Sequence, residues 1–178
     1  MAITNKEYNN SKTEYSYKLY KENRFFRKAR AIVLKDDKVL VIRIDFADGR
    51  PPHYLLPGGG VDEGETIKQS VVRETLEEYG AIVKPEHFLG KQYYNVPINR
   101  NGEKFISRRV EFYYVCKYIK DDETAAFGIE GEFTNPEKTY TKTTLSLSDL
   151  KTMNSKDLND MDAKNLKKLI EYIESKKK

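Results

Sequence analysis

The chain has no tryptophan, one cysteine and two histidines among its 178 residues. The single cysteine, Cys116, excludes an intrachain disulfide, and its setting "FYYVCKYI" reads as a buried strand. The two histidines, His53 and His87, stand apart from any cysteine pair, which excludes an ordinary zinc site. No apolar run approaches the ~20 residues that a membrane span requires, so no membrane partner is expected. The first stretch, "MAITNKEYNNSKTEYSYKLYKENR", lacks the apolar core of a signal peptide, and a cytoplasmic location is the expectation. Neither charge sign dominates: 32 basic against 28 acidic residues leave +4, and the terminal "ESKKK" supplies three of the lysines. A nucleic-acid binder concentrates its basic residues on one face, so the mixed distribution argues against such a partner and for a local anion site at most.

What the chain does contain suits one domain. Hydrophobic residues make up 38% and charged residues 34%, enough for a single modest core to which thirteen Tyr and eight Phe must contribute heavily. No internal repeat or low-complexity linker divides it. Residues 1–23 are polar and Tyr-rich without a clean period, and are expected to form a loosely packed arm dispensable for chemistry. Residues 24–178 are expected to form one domain that includes the C-terminal helix.

Within that domain, "KARAIVLKDDKVLVIRI" reads as two strands joined at Asp36 and Asp37. "DFADGRPPH" is a loop by its Gly and paired Pro, and "YLLP" is a short strand ending at Pro57. "GGGVDEGE" is a flexible loop, and "TIKQSVVRETLEEYG" is a helix, with a capping box from Thr66 to Gln69 and a stop at Gly80. Strands are expected in "AIVKPEHFLGKQYYNV", "FISRRVEFYYVCKYI" and "TYTKTTLSLSDL", the last running into a helix start. "AKNLKKLIEYIESKKK" is an amphipathic helix with Leu166, Leu169, Ile170 and Ile173 on one side. Strands on both sides of a central helix predict an α/β or α+β sandwich.

The central helix carries an unusual acidic sector. At 100° per residue, Glu74, Glu77 and Glu78 fall within a sector about 100° wide. Ile67, two turns earlier, shares it and Val71, one turn earlier, borders it, which a solvated face would not do. Like charges at this spacing repel by a few tenths of a kcal/mol per pair, roughly, so something should offset them. Clustered carboxylates suit a hard divalent cation, Mg²⁺ above all, held together with substrate phosphates. The preceding glycines Gly58, Gly59, Gly60 and Gly64 let backbone approach a phosphate or present a carbonyl to the metal. No Lys-Ser or Lys-Thr pair follows them, so this is not a Walker A loop.

These residues resemble the Nudix box, G-x5-E-x7-R-E-U-x-E-E-x-G-U, where U is a bulky apolar residue. Gly59, Glu65, Arg73, Glu74, Glu77, Glu78 and Gly80 match all seven specified identities at the required spacing. Thr75 and Ala81 occupy the U positions and are smaller than usual, which bears on packing rather than chemistry. The resemblance implies an α/β/α sandwich around a mixed sheet and Mg²⁺-dependent hydrolysis, with Mn²⁺ as a substitute, of a nucleoside diphosphate linked to another moiety. It implies metal ligation by Glu74, Glu77, Glu78 and the Gly59 carbonyl, with Glu74 or Glu78 also orienting water. Arg73 and Glu65 would pair within the box and hold the loop against the helix. Gly58 and Gly60 would lie against the substrate.

Outside the box, Glu130 in "FGIEGE" is the candidate for an additional metal ligand, ahead of Glu132, and Glu111 in "RRVEFYYV" is a second candidate. Glu111 is acidic inside an apolar strand and needs a partner. Arg43 in "VLVIRID" is a candidate for the phosphates. Arg108 and Arg109 must face opposite sides of their strand, so at most one reaches the site. Tyr93, Tyr94 and Phe105 are candidates to stack on a base, although aromatic strand residues more often build core. Two other classes compete with a small-molecule hydrolase: a catalytically silent nucleotide-sensing module and an RNA-end hydrolase. A homodimer is compatible with all three.

Overall fold

The computed structural model describes residues 5–122, 136–159 and 161–176. Its strands are β1 (Phe26–Lys35), β2 (Lys38–Phe46), β3 (His53–Leu55), β4 (Ala81–Arg100), β5 (Glu103–Asp121) and β6 (Lys138–Leu145). Its helices are α1 (Asn5–Lys21), α2 (Ile67–Tyr79), α3 (Leu147–Thr152) and α4 (Ala163–Ser175), with a short 3-10 turn at Ser155–Asp157. The sheet runs β3-β2-β1-β5-β4, and β6 also pairs with β2. β1 and β5 are parallel and the other pairs antiparallel, so the sheet is mixed. Asp36 and Asp37 turn the β1–β2 hairpin with φ of 49° and 60°, as a tight two-residue turn requires.

Strand alternation divides the core into two layers. Ala29, Ala31 and Val33 of β1 pack with Val71 and Tyr79 of α2 on one face. Ile32 of β1 and Tyr113 and Val115 of β5 pack on the other face, with Leu150 of α3 and with Leu166, Leu169 and Ile173 of α4. The result is an α/β/α sandwich, as the alternation of elements predicts. Cys116 is free and buried in the α2 layer, and burial pushes its thiol up to about 12. Among the described residues, no helix is long and apolar enough to cross a membrane.

The N-terminal segment differs from the loose arm expected for it. Residues 5–21 form α1, whose Leu19 and Ser16 are buried. Three long-range contacts hold it on the β4–β5 hairpin: Tyr17 and Tyr20 against the Phe105 ring, Tyr17 Oη to Glu103, and Arg100 to Glu14 at 2.6 Å. The apolar contacts here come from tyrosines, which also present a polar tip. Their pattern therefore carries little helical period in the sequence.

Candidate active site

Two structures position the box. The first is the pairing of the glycine loop with β1. Ala31 N–H donates to the Pro57 carbonyl, Ala29 N–H to the Gly59 carbonyl and Val61 N–H to the Arg27 carbonyl, at 2.8–3.0 Å. This close approach is why glycine is required. A Cβ on Gly58, whose φ is +142°, would run into the Ala29 carbonyl, and one on Gly59 would sit 2.6 Å from the Glu74 carboxyl carbon. The second is the capping of α2. Thr66 and Gln69 form the complete capping box, and Gly80 closes the helix at φ 73°. Thr75 turns its buried hydroxyl back to the Val71 carbonyl at 2.6 Å, so the small U residue leaves no orphan polar group.

Arg73 joins loop to helix. Its Nε donates to Glu65 Oε1 at 2.9 Å, and its Nη2 donates to Glu65 Oε2 and to the Gly60 carbonyl. Its Nη1 donates to Glu74 Oε1 at 3.0 Å and to Glu77 Oε2 at 3.1 Å. Hydrogen bonding from Arg73 lowers the pKa of Glu65, and the same bonds raise that of Arg73. The repulsion between Glu74 and Glu77 is therefore offset here by a shared guanidinium. Glu78 Oε2 accepts from the buried Gly58 N–H at 2.7 Å. Burial raises the pKa of Glu74, while Arg73 pulls it the other way.

Glu74 and Glu78 line a cleft of about 460 Å³ together with Gly58, Gly59 and Gly60. Lys28 and Arg30 of β1, Arg109 of β5 and Lys12 of α1 line the same cleft. Sequence reasoning missed Lys28, Arg30 and Lys12. The available signal was parity: Lys28 and Arg30 alternate with the buried Ala29 and Ala31 in "KARAIVL", so both face away from the α2 layer.

Glu111, 3% exposed, is the buried anchor of this basic group. It accepts from Arg30 Nε at 2.6 Å, from Gln92 Nε2 and from Tyr113 Oη, and lies 3.8 Å from Lys28 Nζ. Arg30 also donates to the Leu56 and Gly58 carbonyls, tying Glu111 to the glycine loop. Burial would raise the Glu111 pKa, yet Arg30 and Lys28 hold it below the ordinary value. Burial works against the Arg30 cation too, but Glu111 and Glu78 keep its pKa raised. Lys28 has less compensation: burial and then Arg30 push its pKa down to about 7.

Several candidates fall elsewhere. Arg43 is exposed on β2, paired with Asp45 at 2.7 Å, and does not line the cleft. Of the neighbouring arginines, Arg109 lines the cleft, while Arg108 donates to Asn23 and lies over the Phe25 ring. Phe105 is buried under α1, and the exposed Tyr93 packs against Phe25. Glu130 and Glu132 lie outside the described residues. Glu77, with a side chain 45% exposed, is held by Arg73 and does not line the cleft.

A divalent cation is tested by the donors present. Glu74 and Glu78 offer hard carboxylate oxygens, and the Gly59 carbonyl keeps a second lone pair beyond the one Ala29 uses. That donor chemistry fits. Among the described residues, however, no three His, Cys, Asp or Glu side chains gather as a ready cation site. Arg73 Nη1 occupies Glu74 Oε1 and Glu77 Oε2 together.

A family model described as NUDIX domain matches residues 25–166. An ADP-ribose pyrophosphatase of Methanocaldococcus jannaschii is 43% identical over 61 residues, covering 33% of this chain and 34% of the relative. An RNA pyrophosphohydrolase of Wolbachia pipientis is 33% identical over 81 residues, covering 40% of this chain and 47% of the relative. The chain thus spans less than half the length of these curated relatives. A solved NUDIX hydrolase from Nitrosomonas europaea superposes with a TM-score of 0.56 at 19% identity, covering 86% of this chain and 91% of that one. At that identity the likeness concerns the fold.

Proposed function

Because the chain belongs to the NUDIX family, we propose that it hydrolyses a pyrophosphate bond in a nucleoside diphosphate linked to a further group. The observation that carries this reading is the cleft itself. It joins two helix carboxylates, Glu74 and Glu78, to the basic side chains of Lys28, Arg30 and Arg109 beside a glycine loop.

The residues divide the work by charge. Lys28, Arg30 and Arg109 draw the polyanion into the cleft, and Glu111 orients Arg30 from beneath. Gly58, Gly59 and Gly60 let the substrate approach the backbone without side-chain obstruction. Glu74, Glu78 and the Gly59 carbonyl would hold Mg²⁺ or Mn²⁺, with Glu77 joining when Arg73 releases it. A bound divalent cation supplies charge neutralisation on the pyrophosphate oxygens and lowers the pKa of a coordinated water. The attacking water adds to one phosphorus in line, the bridging P–O bond breaks, and the water's proton is accepted by a glutamate. Glu74 and Glu78, the carboxylates that line the cleft, are the candidates for that base. Arg73 and Glu65 position the carboxylates rather than touch substrate.

A 5′-triphosphorylated RNA end is the second reading, favoured by the name of the Wolbachia relative. One assay separates them. ADP-ribose, a nucleotide sugar, a dinucleoside polyphosphate, nucleoside triphosphates and 5′-triphosphorylated RNA are each tested with Mg²⁺ and with excess EDTA. Turnover of at least one small molecule with Mg²⁺ and none with EDTA is expected. Full activity in EDTA removes the metal reading. Absence of turnover across the panel at micromolar enzyme favours a nucleotide-sensing module.

A further inference from the structure

The β4–β5 hairpin has two faces of different fate. Odd residues of β5 turn toward the cleft, α1 and α4: Phe105 lies under α1, Arg109 lines the cleft, and Tyr113 and Val115 join the α4 layer. Even residues turn to the other side of the sheet, which α2 covers at β1 and at the start of β4. Beyond α2 that side is open. Ile106 is 46% exposed, Phe88 45%, Tyr93 57%, and Phe25, just before β1, 40%. The rings form one surface: Tyr93 packs on Phe25 at 5.4 Å, and Phe88 lies 5.4 Å from Tyr114 and 6.5 Å from Phe112.

Cations stand among these rings. Lys91 Nζ lies 5.1 Å from the Tyr93 centroid, Lys68 Nζ of α2 5.8 Å from that of Tyr114, and the Arg108 guanidinium carbon 4.8 Å from that of Phe25. Among the described residues none of the three pairs with a carboxylate, and Arg108 donates to the Asn23 side-chain oxygen instead. Elsewhere the surface cations are matched: Arg43 with Asp45, Arg100 with Glu14, Lys151 with Glu174. Nor does the open face carry acids of its own. Glu103 and Glu111 of β5 turn to the opposite side, toward Tyr17 and Arg30, and Glu86, the one acid of β4, lies past Phe88. The chain-wide excess of +4 averages over matched and unmatched cations and conceals this local one.

A surface that mixes open rings with unmatched cations complements a polymer that carries flat bases on a phosphate backbone. A second copy docked here about a two-fold axis would set Lys68, Lys91 and Arg108 against the same cluster, and like charges across an interface are unfavourable. We propose that this face binds single-stranded nucleic acid, with bases stacked on Tyr93 and Phe88 and phosphates held by Lys68, Lys91 and Arg108. The face lies across the sheet from the cleft, and its ligand goes beyond the hydrolysis proposed above.

Fluorescence anisotropy with a labelled oligouridylate of roughly twelve nucleotides tests this, a length within the range of a single-strand site. The oligonucleotide has a 5′-hydroxyl end and no divalent cation is added, so this proposal and the hydrolase reading can fail separately. Tyr93→Ala and Phe88→Ala should each weaken binding roughly tenfold, the effect of losing one stacking ring. Lys91→Gln should weaken it too, and should lower the slope of log affinity against log salt by about 0.7, one phosphate contact on a single strand. Lys167→Gln, on α4 and paired with Glu171, should bind as the parent does. The three face variants should melt as the parent does, because all three side chains are exposed. No binding by the parent at low salt, or parental binding by the face variants, overturns the proposal. So does a loss confined to Lys12→Gln, which would place the strand in the cleft. Poly-glutamate displacing the probe as well as unlabelled oligouridylate would overturn it in favour of an acidic polypeptide. A parent dimer in sedimentation that Tyr93→Ala dissociates would overturn it in favour of a second copy.

Discussion

The two walls of the cleft are built on opposite terms. On the α2 wall the box satisfies itself: Arg73 serves Glu65, Glu74, Glu77 and the Gly60 carbonyl, and the Gly58 amide serves Glu78. On the wall of α1 and β5, Ser16 and Arg109 each leave a buried polar atom without a partner among the described residues. A self-satisfied network gives rigidity and holds its carboxylates in one place. An unsatisfied pair gives up stability.

The largest effect expected on this contrast is catalytic. Glu74→Gln or Glu78→Gln should cut turnover by ~10²-fold or more while the protein stays folded, since stabilisation of charge at a transferring phosphoryl group contributes several kcal/mol. Turnover of the best substrate, with circular dichroism as the folding control, checks this, and parental turnover in the double variant removes the assignment.

Next is the anchor between the walls. Glu111→Gln strands Arg30 in a buried position and should lower stability by about 3 kcal/mol near neutral pH. The sign of its pH dependence follows from its lowered pKa. The folded state holds the Glu111 proton less tightly than the unfolded chain. Its contribution is thus full above the ordinary value of 4.5 and is lost as pH falls through the folded pKa. Melting temperature of the parent should therefore drop more steeply than that of the variant below about pH 4.5. Parallel curves would show that Glu111 contributes no linked stability.

The smallest effects compare two hydroxyls. Thr66 caps α2 and accepts from the Gln69 amide, so Thr66→Ala should cost about 1 kcal/mol. Ser16→Ala removes a hydroxyl of equal chemistry and should cost nothing measurable, or raise the melting temperature slightly. Urea titration of both variants resolves the difference. An equal loss in the two would mean that Ser16 has a native partner and that the walls are alike.

The same contrast explains what was legible in the sequence. The box works over short spacings, so its capping residues and its glycine stop could be placed from residue order alone, while the Arg73–Glu65 pair came from the resemblance to the Nudix box. The hairpin at Asp36 and the alternation of β1 are local too. Arg43 was misplaced because a strand arginine reads the same whether it meets a phosphate or the neighbouring Asp45. Lys28 and Arg30 acquire meaning only beside Glu111, which the parallel pairing of β1 with β5 brings to them. Glu77 could not be distinguished from Glu74 because residue spacing does not show which of them lines the cleft. The helical α1 was hidden by tyrosines, whose burial is decided by the hairpin they meet.

The route by which α1 reaches its place bears on how the chain assembles. The Arg73–Glu65 and Gly58–Glu78 bonds close loops of 8 and 20 residues, whereas the Arg100–Glu14 and Tyr17–Glu103 bonds each span 86. Short closures form early at small entropic cost, and long ones wait for the structure between them. During synthesis α1 leaves the ribosome before β4 and β5 and has no hairpin to dock on until they have been made and paired. The box is then expected to be in place before the wall that faces it. α1 precedes the box in the chain but joins it afterwards, and the cleft becomes a cleft only when it does.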